Sequence, residues 1–366
     1  MEQKNRVKMN NIFAPIKIGE LELKNRIVLS PMQQYSSEDG YANDWHLVHY
    51  GSRAVGGAGL IVTESAIVNP QGASTKNDLG IWMDEHIDGL KRVTDFVRKN
   101  GAKSAIQLAH FGSKGSKSHP NEGFQPISIA EGGWQTVSAS EKVPFAGMSI
   151  PKKLTVDEIK SVQQDFINAA KRAVSAGFDA IEIHAAHGYL FHQFYSKLIN
   201  DRADEYGGSF ENRIRFLTET IQGIRAETPT QMPLLVRISA VDYVENDANA
   251  WVLEDSKLLV KKLKEIGVNM ITASGGGFVW VDKSNIMEGY QVPFAEAIKA
   301  ATGMLTATVG GIKTVEFANE IIATGRADMV VIAREHLRNP YFTLEAARKL
   351  NEEVPIPWQY KRAYFR

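Results

Sequence analysis

The 366-residue chain contains no cysteine, which excludes disulfide bonds, thiolate nucleophiles and metal sites with cysteine ligands. It also lacks an excess of either charge, because 42 Lys and Arg residues balance 42 Asp and Glu residues. That balance gives no reason to expect nucleic acid or a membrane surface as a partner. No apolar run is long enough to span a bilayer, and the polar N-terminus MEQKNRVKMNN does not resemble a signal peptide. We therefore expect a cytoplasmic protein.

One pattern recurs along the chain: an amphipathic helix ends at a glycine, and a short apolar strand follows. In the clearest repeat, Ile159, Val162 and Phe166 share a helical face, Gly177 ends the helix, and the strand 179–184 comes next. The pattern predicts eight strands, at residues 27–30, 59–63, 104–108, 179–184, 234–238, 269–273, 305–309 and 328–333.

These strands are too uniformly apolar to have one face in water, so they suit a parallel sheet covered by helices. Eight repeats favour a closed (β/α)₈ TIM barrel in the α/β class. A doubly wound sheet is the alternative, but its phosphate fingerprint G-x-G-x-x-G follows no early strand. A β-hairpin is predicted at residues 16–23, and a long excursion rich in Gly, Ser and Pro at residues 114–153 follows the third strand. We expect residues 1–366 to form a single domain, with a loose leader at 1–11 and a C-terminal tail at 355–366.

The densest group of polar residues follows the fourth predicted strand, where barrel enzymes build active sites. His184 and His187 could be structural histidines, or zinc ligands together with Glu182. They could also donate two hydrogen bonds to one substrate oxygen. Tyr189 and Tyr35 could be ordinary aromatic residues, or phenols that protonate a carbanion held against them. The residues alone leave these alternatives open.

Other candidates lie after late strands or inside apolar ones. Gly310, Gly311 and Arg334 follow the last two strands, where barrel enzymes bind phosphate groups. Arg237 and Gln107 are polar residues within apolar strands. Arg237 could form a buried ion pair, or it could place a fixed positive charge beside a ring that takes up electrons.

Three motifs carry a resemblance to a known family: KNRIVLSPMQQYS at residues 24–36, IQLAHFGSK at 106–114, and IEIHAAHGYLFHQF followed by RADEYGGSFENRIRF. With them, about residues 13–362 resemble the Old Yellow Enzyme family of FMN-dependent ene-reductases, in its thermophilic-like branch. The resemblance implies non-covalent FMN and NADPH or NADH as electron donor. It also implies a ping-pong reduction of activated C=C bonds in α,β-unsaturated carbonyl or nitro compounds.

The resemblance also assigns roles to residues. His184 and His187 would bind the activating oxygen of the substrate, Tyr189 would donate a proton, and Tyr35 would contact the substrate. Arg362 would reach a neighbouring active site in a homodimer or homotetramer. The implied flavin-ring contacts are Ser30, Pro31, Met32, Gln33, Ser65, Gln107 and Arg237, and the implied ribityl-phosphate contacts are Gly310, Gly311, Ala333 and Arg334.

The sequence departs from the branch at two positions. Gln33 stands where the branch commonly has a cysteine beside the flavin, so the flavin potential and substrate preference are expected to differ. Ser113 stands where the branch often has an arginine. Two other functions stay open at this point: a metal-dependent barrel hydrolase, and a flavin-binding protein without a defined alkene substrate.

Overall fold

The computed structural model describes residues 11–143, 145–279 and 287–364. Within them, eight parallel strands close into a barrel in chain order, and the last strand pairs with the first through Val330 and Ile27. The predicted (β/α)₈ fold is confirmed, and each predicted strand overlaps an observed one. From first to eighth, the barrel strands are Ile27–Leu29, Leu60–Ile67, Lys103–Ala109, Ala180–Ala185, Leu234–Ser239, Met270–Ser274, Leu305–Val309 and Met329–Ile332.

The helices around the barrel follow the apolar stripes of the sequence. In the longest, Ile159 and Phe166 are fully buried, and Thr155 and Glu158 form the reciprocal capping box that their spacing predicts. No helix of the described residues is long and apolar enough to cross a membrane. The main helices are Asp44–Val55, His86–Lys99, Val156–Ser175, Phe210–Glu227, Leu253–Glu265, Val292–Thr302, Val315–Ala323 and Phe342–Leu350, with shorter ones at Leu190–Tyr195, Arg334–Arg338 and Lys361–Tyr364.

The predicted hairpin closes the end of the barrel at which the strands begin. Strand Ile16–Ile18 pairs antiparallel with Leu21–Leu23. Its buried Ile18 belongs to the same apolar cluster as Leu60 and Met270, which begin two barrel strands. The opposite end, where the strands finish, is therefore the end that can hold a ligand site. Of the predicted leader, residues 1–10 lie outside the described residues, as do residues 365 and 366 of the tail.

The excursion after the third strand is ordered by short local elements. It contains the 3₁₀ helices Pro120–Glu122 and Ile129–Glu131, and strand Val137–Ser138 pairs in parallel with Lys152–Lys153. The buried guanidinium of Arg202 donates hydrogen bonds to the carbonyl oxygens of residues 139 and 154, at 3.2 and 2.6 Å. These bonds tie the excursion to the loop that follows the fourth strand.

A substitution at Gly56 would test how tightly the end of helix Asp44–Val55 packs against the residues that precede helix Phe342–Leu350. A Cβ atom at this position would overlap the carbonyl oxygen of Pro340, although the φ of −68° at Gly56 suits any residue. We expect Gly56→Ala to destabilise the fold by about 2–3 kcal/mol, because overpacking costs that much in a tight contact. Gly325→Ala is the control, because it meets open space and only its φ of +74° opposes alanine, at about 1 kcal/mol. Denaturant midpoints in excess cofactor would check the order, and equal losses would contradict it.

Candidate active site

A cavity of about 970 Å³ opens at the carboxyl ends of the barrel strands. Its volume lies at the upper end of the range of about 300–1,000 Å³ for small-molecule sites. Side chains from the loops after several strands, and from the excursion, form its wall. Among the residues predicted for the site, those that line the cavity are Tyr35, His187, Tyr189, Arg237, Gly310, Gly311, Ala333 and Arg334.

His184 and His187 form one hydrogen-bonded chain at the end of the fourth strand. Nδ1 of His184 accepts from the N–H of Ala186 at 3.2 Å, so its proton lies on Nε2. That Nε2 lies 3.2 Å from Nδ1 of His187, and Nε2 of His187 lies 2.8 Å from the hydroxyl of Ser274. Each imidazole can therefore carry one N–H on Nε2. In this structure His184 donates to His187, and the donation of both rings to one substrate oxygen stays a prediction.

Both imidazoles are held neutral. Burial lowers the pKa of His184 and of His187 well below the ordinary range, and the positive charge of Arg237 lowers both further. Lys114 and His192 act in the same direction. Neutral rings at physiological pH suit a role as hydrogen-bond donors to an uncharged carbonyl or nitro oxygen.

Tyr189 faces the same corner of the cavity. Its ring centroid lies 4.7 Å from that of His184 and 4.2 Å from that of Phe111. Burial raises the pKa of Tyr189 above its ordinary value, so the phenol keeps its proton across the physiological range. Burial, with the charge of Asp78, likewise raises the pKa of Tyr35 to about 12. Both phenols therefore keep their protons at physiological pH.

The turn that contains His187 has an uncommon backbone conformation, and hydrogen bonds to buried side chains fix its position. His187 has a φ of 59°, in the left-handed region, and its N–H donates to the hydroxyl of Ser239 at 2.9 Å. The N–H of Gly188 donates to Nδ1 of His192 at 2.8 Å. Nε2 of His192 is in turn paired with Asp242 at 2.7 Å, which fixes its tautomer. The buried His192–Asp242 pair thus positions the turn that faces the cavity.

Polar side chains inside the barrel form a ladder below the cavity. The hydroxyl of Ser65 donates to Gln107 at 2.7 Å, and the amide of Gln107 donates to Glu182 at 2.8 Å. Glu182 also accepts from Thr272 at 2.8 Å. Arg237 lies beside His184 in the strand register and is 8% exposed. Among the described residues, no group of three or more His, Asp or Glu side chains is placed to hold a metal ion.

Among the buried side-chain nitrogen atoms that have no hydrogen-bond partner within the described part of the chain, two belong to residues predicted to contact the flavin ring. They are Nε of Arg237 and Nε2 of Gln33, whose Oε1 accepts from the N–H of Ser65 at 2.8 Å. Buried donors without partners are rare in folded proteins. A flavin ring, with carbonyl oxygens and ring nitrogens along one edge, would supply acceptors for both. The residues present therefore fit FMN, while the effect of Gln33 on the flavin potential stays a prediction.

The far end of the cavity has the glycines and the arginine expected of a phosphate site. Gly310 and Gly311 have φ values of 109° and 67°, which a residue with a Cβ rarely adopts. Arg334 begins the short helix after the eighth strand and lines the cavity beside Ala333. These four residues fit the phosphate end of FMN.

Some predicted residues lie outside the cavity wall. Ser30, Pro31 and Met32 follow the first strand without lining the cavity, and the N–H of Ser30 donates to Ile332 at 3.0 Å. Arg362 lies in the exposed helix Lys361–Tyr364 and does not line the cavity of its own chain. Its predicted contact with a neighbouring subunit stays a prediction.

Sequence reasoning missed several residues that face the cavity. Lys114 ends the HFGSK motif and Ser274 precedes a glycine run, so each had a signal in a segment already singled out. Phe124 and Phe145 lie in the excursion, whose sequence has no periodicity that would aim them at the cavity.

Comparison with known proteins agrees with this geometry. Residues 11–353 match the model of the NADH:flavin oxidoreductase / NADH oxidase family. The chain is 45% identical to an NADPH dehydrogenase of Bacillus subtilis, over 96% of this chain and 99% of that protein. It is 44% identical to an NADPH dehydrogenase of Listeria innocua, over 97% and 100%. Morphinone reductase in complex with tetrahydroNAD superposes with a TM-score of 0.75 at 27% identity, over 95% of this chain and 92% of that one.

The fold and the cavity are those of a (β/α)₈ barrel oxidoreductase with a cavity at the mouth of its barrel. The chain belongs to the NADH:flavin oxidoreductase / NADH oxidase family, which is the Old Yellow Enzyme family that its motifs indicated. Its cofactor is FMN, and a nicotinamide is the electron donor.

Replacement of Arg334 tests the phosphate end of the site. We expect Arg334→Gln to weaken FMN binding by about tenfold or more, because a charge-assisted bond to a phosphate is lost. Quenching of FMN fluorescence on titration with apoprotein measures the dissociation constant. Arg326→Gln is the control, since Arg326 pairs with Glu296 on the surface at 3.0 Å. Equal dissociation constants for the two variants would remove Arg334 from the phosphate site.

Proposed function

We propose that this protein reduces activated C=C bonds of α,β-unsaturated carbonyl or nitro compounds, with NADPH as the electron donor. The observation that carries the proposal is the corner formed by His184, His187 and Tyr189. His187 and Tyr189 line the cavity, and the neutral ring of His184 lies against both of them. This corner can polarise an oxygen and deliver a proton to the same small molecule.

In the proposed reaction the imidazoles orient the substrate. Its oxygen replaces the present acceptors of the two Nε2–H groups, which are Nδ1 of His187 and the hydroxyl of Ser274. The two bonds draw electron density from the double bond toward the oxygen. FMN, when bound, supplies the hydride that adds to the β-carbon, having received it from NADPH in a preceding half-reaction. Tyr189 donates its proton to the α-carbon, so one hydride and one proton saturate the bond.

Two features support the choice of NADPH. The relatives at 45% and 44% identity are named NADPH dehydrogenase. The residues that line the cavity include the basic side chains of Lys114, Lys117, Lys313, Arg334 and Arg338. Glu335 is an acidic residue in the same wall, and it forms an ion pair with Arg338. A wall with these positive charges favours a polyanionic nicotinamide dinucleotide.

The C-terminal tail supports a homodimer or homotetramer. Trp358 is 75% exposed, and Lys361, Arg362 and Ala363 of the short helix that follows are exposed. A large exposed indole beside an arginine is typical of a surface that another subunit covers. We propose that this tail places Arg362 at the cavity of a neighbouring copy.

Replacement of Tyr189 separates proton donation from binding. We expect Tyr189→Phe to slow reduction of 2-cyclohexenone by about 100-fold or more, because a general acid contributes about that factor. NADPH consumption with an artificial electron acceptor should be unchanged, since that half-reaction needs no proton from this phenol. Stopped-flow measurement of each half-reaction checks both statements. Enone reduction at the wild-type rate would exclude Tyr189 as the donor.

Replacement of both histidines tests the oxygen site. We expect His184→Ala with His187→Ala to weaken binding of a phenol by about tenfold or more, because two hydrogen bonds are lost. Enone reduction should slow in parallel, while FMN stays bound. Absorption titration with a phenol is the measurement, and a long-wavelength charge-transfer band in the wild type would also confirm flavin and site together. Wild-type binding and turnover in the double variant would contradict the proposal.

A further inference from the structure

Lys114 reaches across the rim of the barrel from the loop after the third strand. Its ammonium donates to the carbonyl oxygen of His187 at 2.8 Å and to that of Gly277 at 2.7 Å. The same nitrogen lies 5.5 Å from the ring centroid of Tyr189 and 4.9 Å from that of Phe145. One side chain from the third loop therefore joins the loops after the fourth and sixth strands.

The two bonded carbonyls belong to backbones that already touch. A Cβ atom on Gly188 would lie 2.5 Å from the carbonyl oxygen of Gly277. Gly277 has a φ of 148°, which is accessible to glycine, and His187 has a φ of 59°. Two backbones in uncommon conformations are pressed together there, and both carbonyl oxygens accept from the same ammonium. Without that donor, the contact between the two loops would lose its shared hydrogen-bond partner.

The surroundings of Lys114 lower the pKa of its ammonium group. Burial, and then repulsion from Lys117, lower the pKa of Lys114 to about 7. The other titratable groups that sense its charge are His184, His187 and His192, and each of these rings has a pKa lowered by burial. Asp242 is engaged by His192, and the pKa of Tyr189 is raised. Lys114 is therefore the cavity group placed to change charge near neutral pH.

We propose that Lys114 is a positioning residue that locks the His187 turn against the Gly277 loop, and that its charge strengthens the hold of the imidazole pair on the substrate oxygen. A positive charge beside the two rings makes their N–H groups better donors. It also stabilises negative charge that develops on the bound oxygen. This inference rests on the proposed function, since it acts through the same two histidines.

The sign of the pH effect follows from the charge. Below the pKa of Lys114 the ammonium is present, and carbonyl ligands bind most tightly. As pH rises the amine becomes neutral; it can still donate to both backbone carbonyls, but the added field is lost. We expect the affinity of the holoenzyme for 4-methoxybenzaldehyde, a carbonyl ligand that does not ionise, to fall by about tenfold from about pH 6 to about pH 9.

Three variants of the holoenzyme separate charge from structure. Lys114→Met should bind the aldehyde about tenfold more weakly than the wild type at low pH, with no pH dependence. Lys114→Arg keeps a permanent charge, so its affinity should also be independent of pH but remain near the low-pH wild-type value. Lys117→Met is the matched control and should keep a pH dependence of the wild-type size, moved to higher pH because repulsion from Lys117 no longer lowers the pKa of Lys114. Dissociation constants come from the absorption of the bound cofactor, and thermal midpoints are recorded beside them.

Each outcome decides the inference. If Lys114→Met lowers the thermal midpoint but keeps the wild-type pH dependence, Lys114 is structural and the inference is wrong. Should Lys114→Met fail to fold, a pH dependence that persists in Lys114→Arg overturns the inference equally, as does its loss in Lys117→Met. Failure of the proposed function is distinguishable, because it appears as a wild-type protein that binds the aldehyde but does not reduce 2-cyclohexenone.

Discussion

The buried guanidinium of Arg237 is the constraint on which the chemistry of this barrel depends. Removing a charge from water is expensive unless partners compensate it, and Glu182 supplies the opposing charge. Burial raises the pKa of Glu182, while Arg237 and the bonds from Thr272 and Gln107 oppose that rise. The ladder of polar side chains below the cavity thereby holds the partner of Arg237 in place. The positive charge of Arg237 also lowers the pKa of His184 and His187. The charge buried inside the barrel therefore favours the neutral form of both imidazoles above it.

A second constraint is geometric, and it acts at the rim. The turn at His187 and Gly188 is fixed through its N–H groups by Ser239 and His192, and through a carbonyl by Lys114. These three contacts come from the end of the fifth strand, from helix Leu190–Tyr195 and from the loop after the third strand. An uncommon backbone conformation persists only where its surroundings determine it this fully. The imidazole of His187, which faces the cavity, is therefore positioned by contacts with several parts of the barrel and not by its local sequence.

The barrel itself could be predicted because each strand is an apolar run that follows a glycine-ended helix. Helix Asp44–Val55 left no such signal, since its buried face includes His46, His49 and Arg53. The polar contacts that bury those side chains, such as the bond of Arg53 to the carbonyl of His336, join residues far apart in sequence. The positions of His184, His187 and Tyr189 at the end of the fourth strand were predictable from spacing. Their mutual hydrogen bonding, and the reach of Lys114 across two loops, depend on tertiary geometry that no local pattern encodes.

The corner of the cavity contains two groups that could release a proton, and they differ in availability. Lys114, with its pKa lowered to about 7, is the stronger acid, but its nitrogen is bonded to two backbone carbonyls. The hydroxyl of Tyr189 donates to no other described residue, and burial keeps its proton in place until an acceptor arrives. A carbanion in a dry site is a stronger base than the same carbanion in water, because no water stabilises its charge. A weak acid in contact with that carbon can then transfer its proton, whereas a stronger acid tied to the backbone cannot approach it. In the proposed mechanism, Lys114 would therefore contribute its charge and the rigidity of the loops, and Tyr189 would contribute the proton.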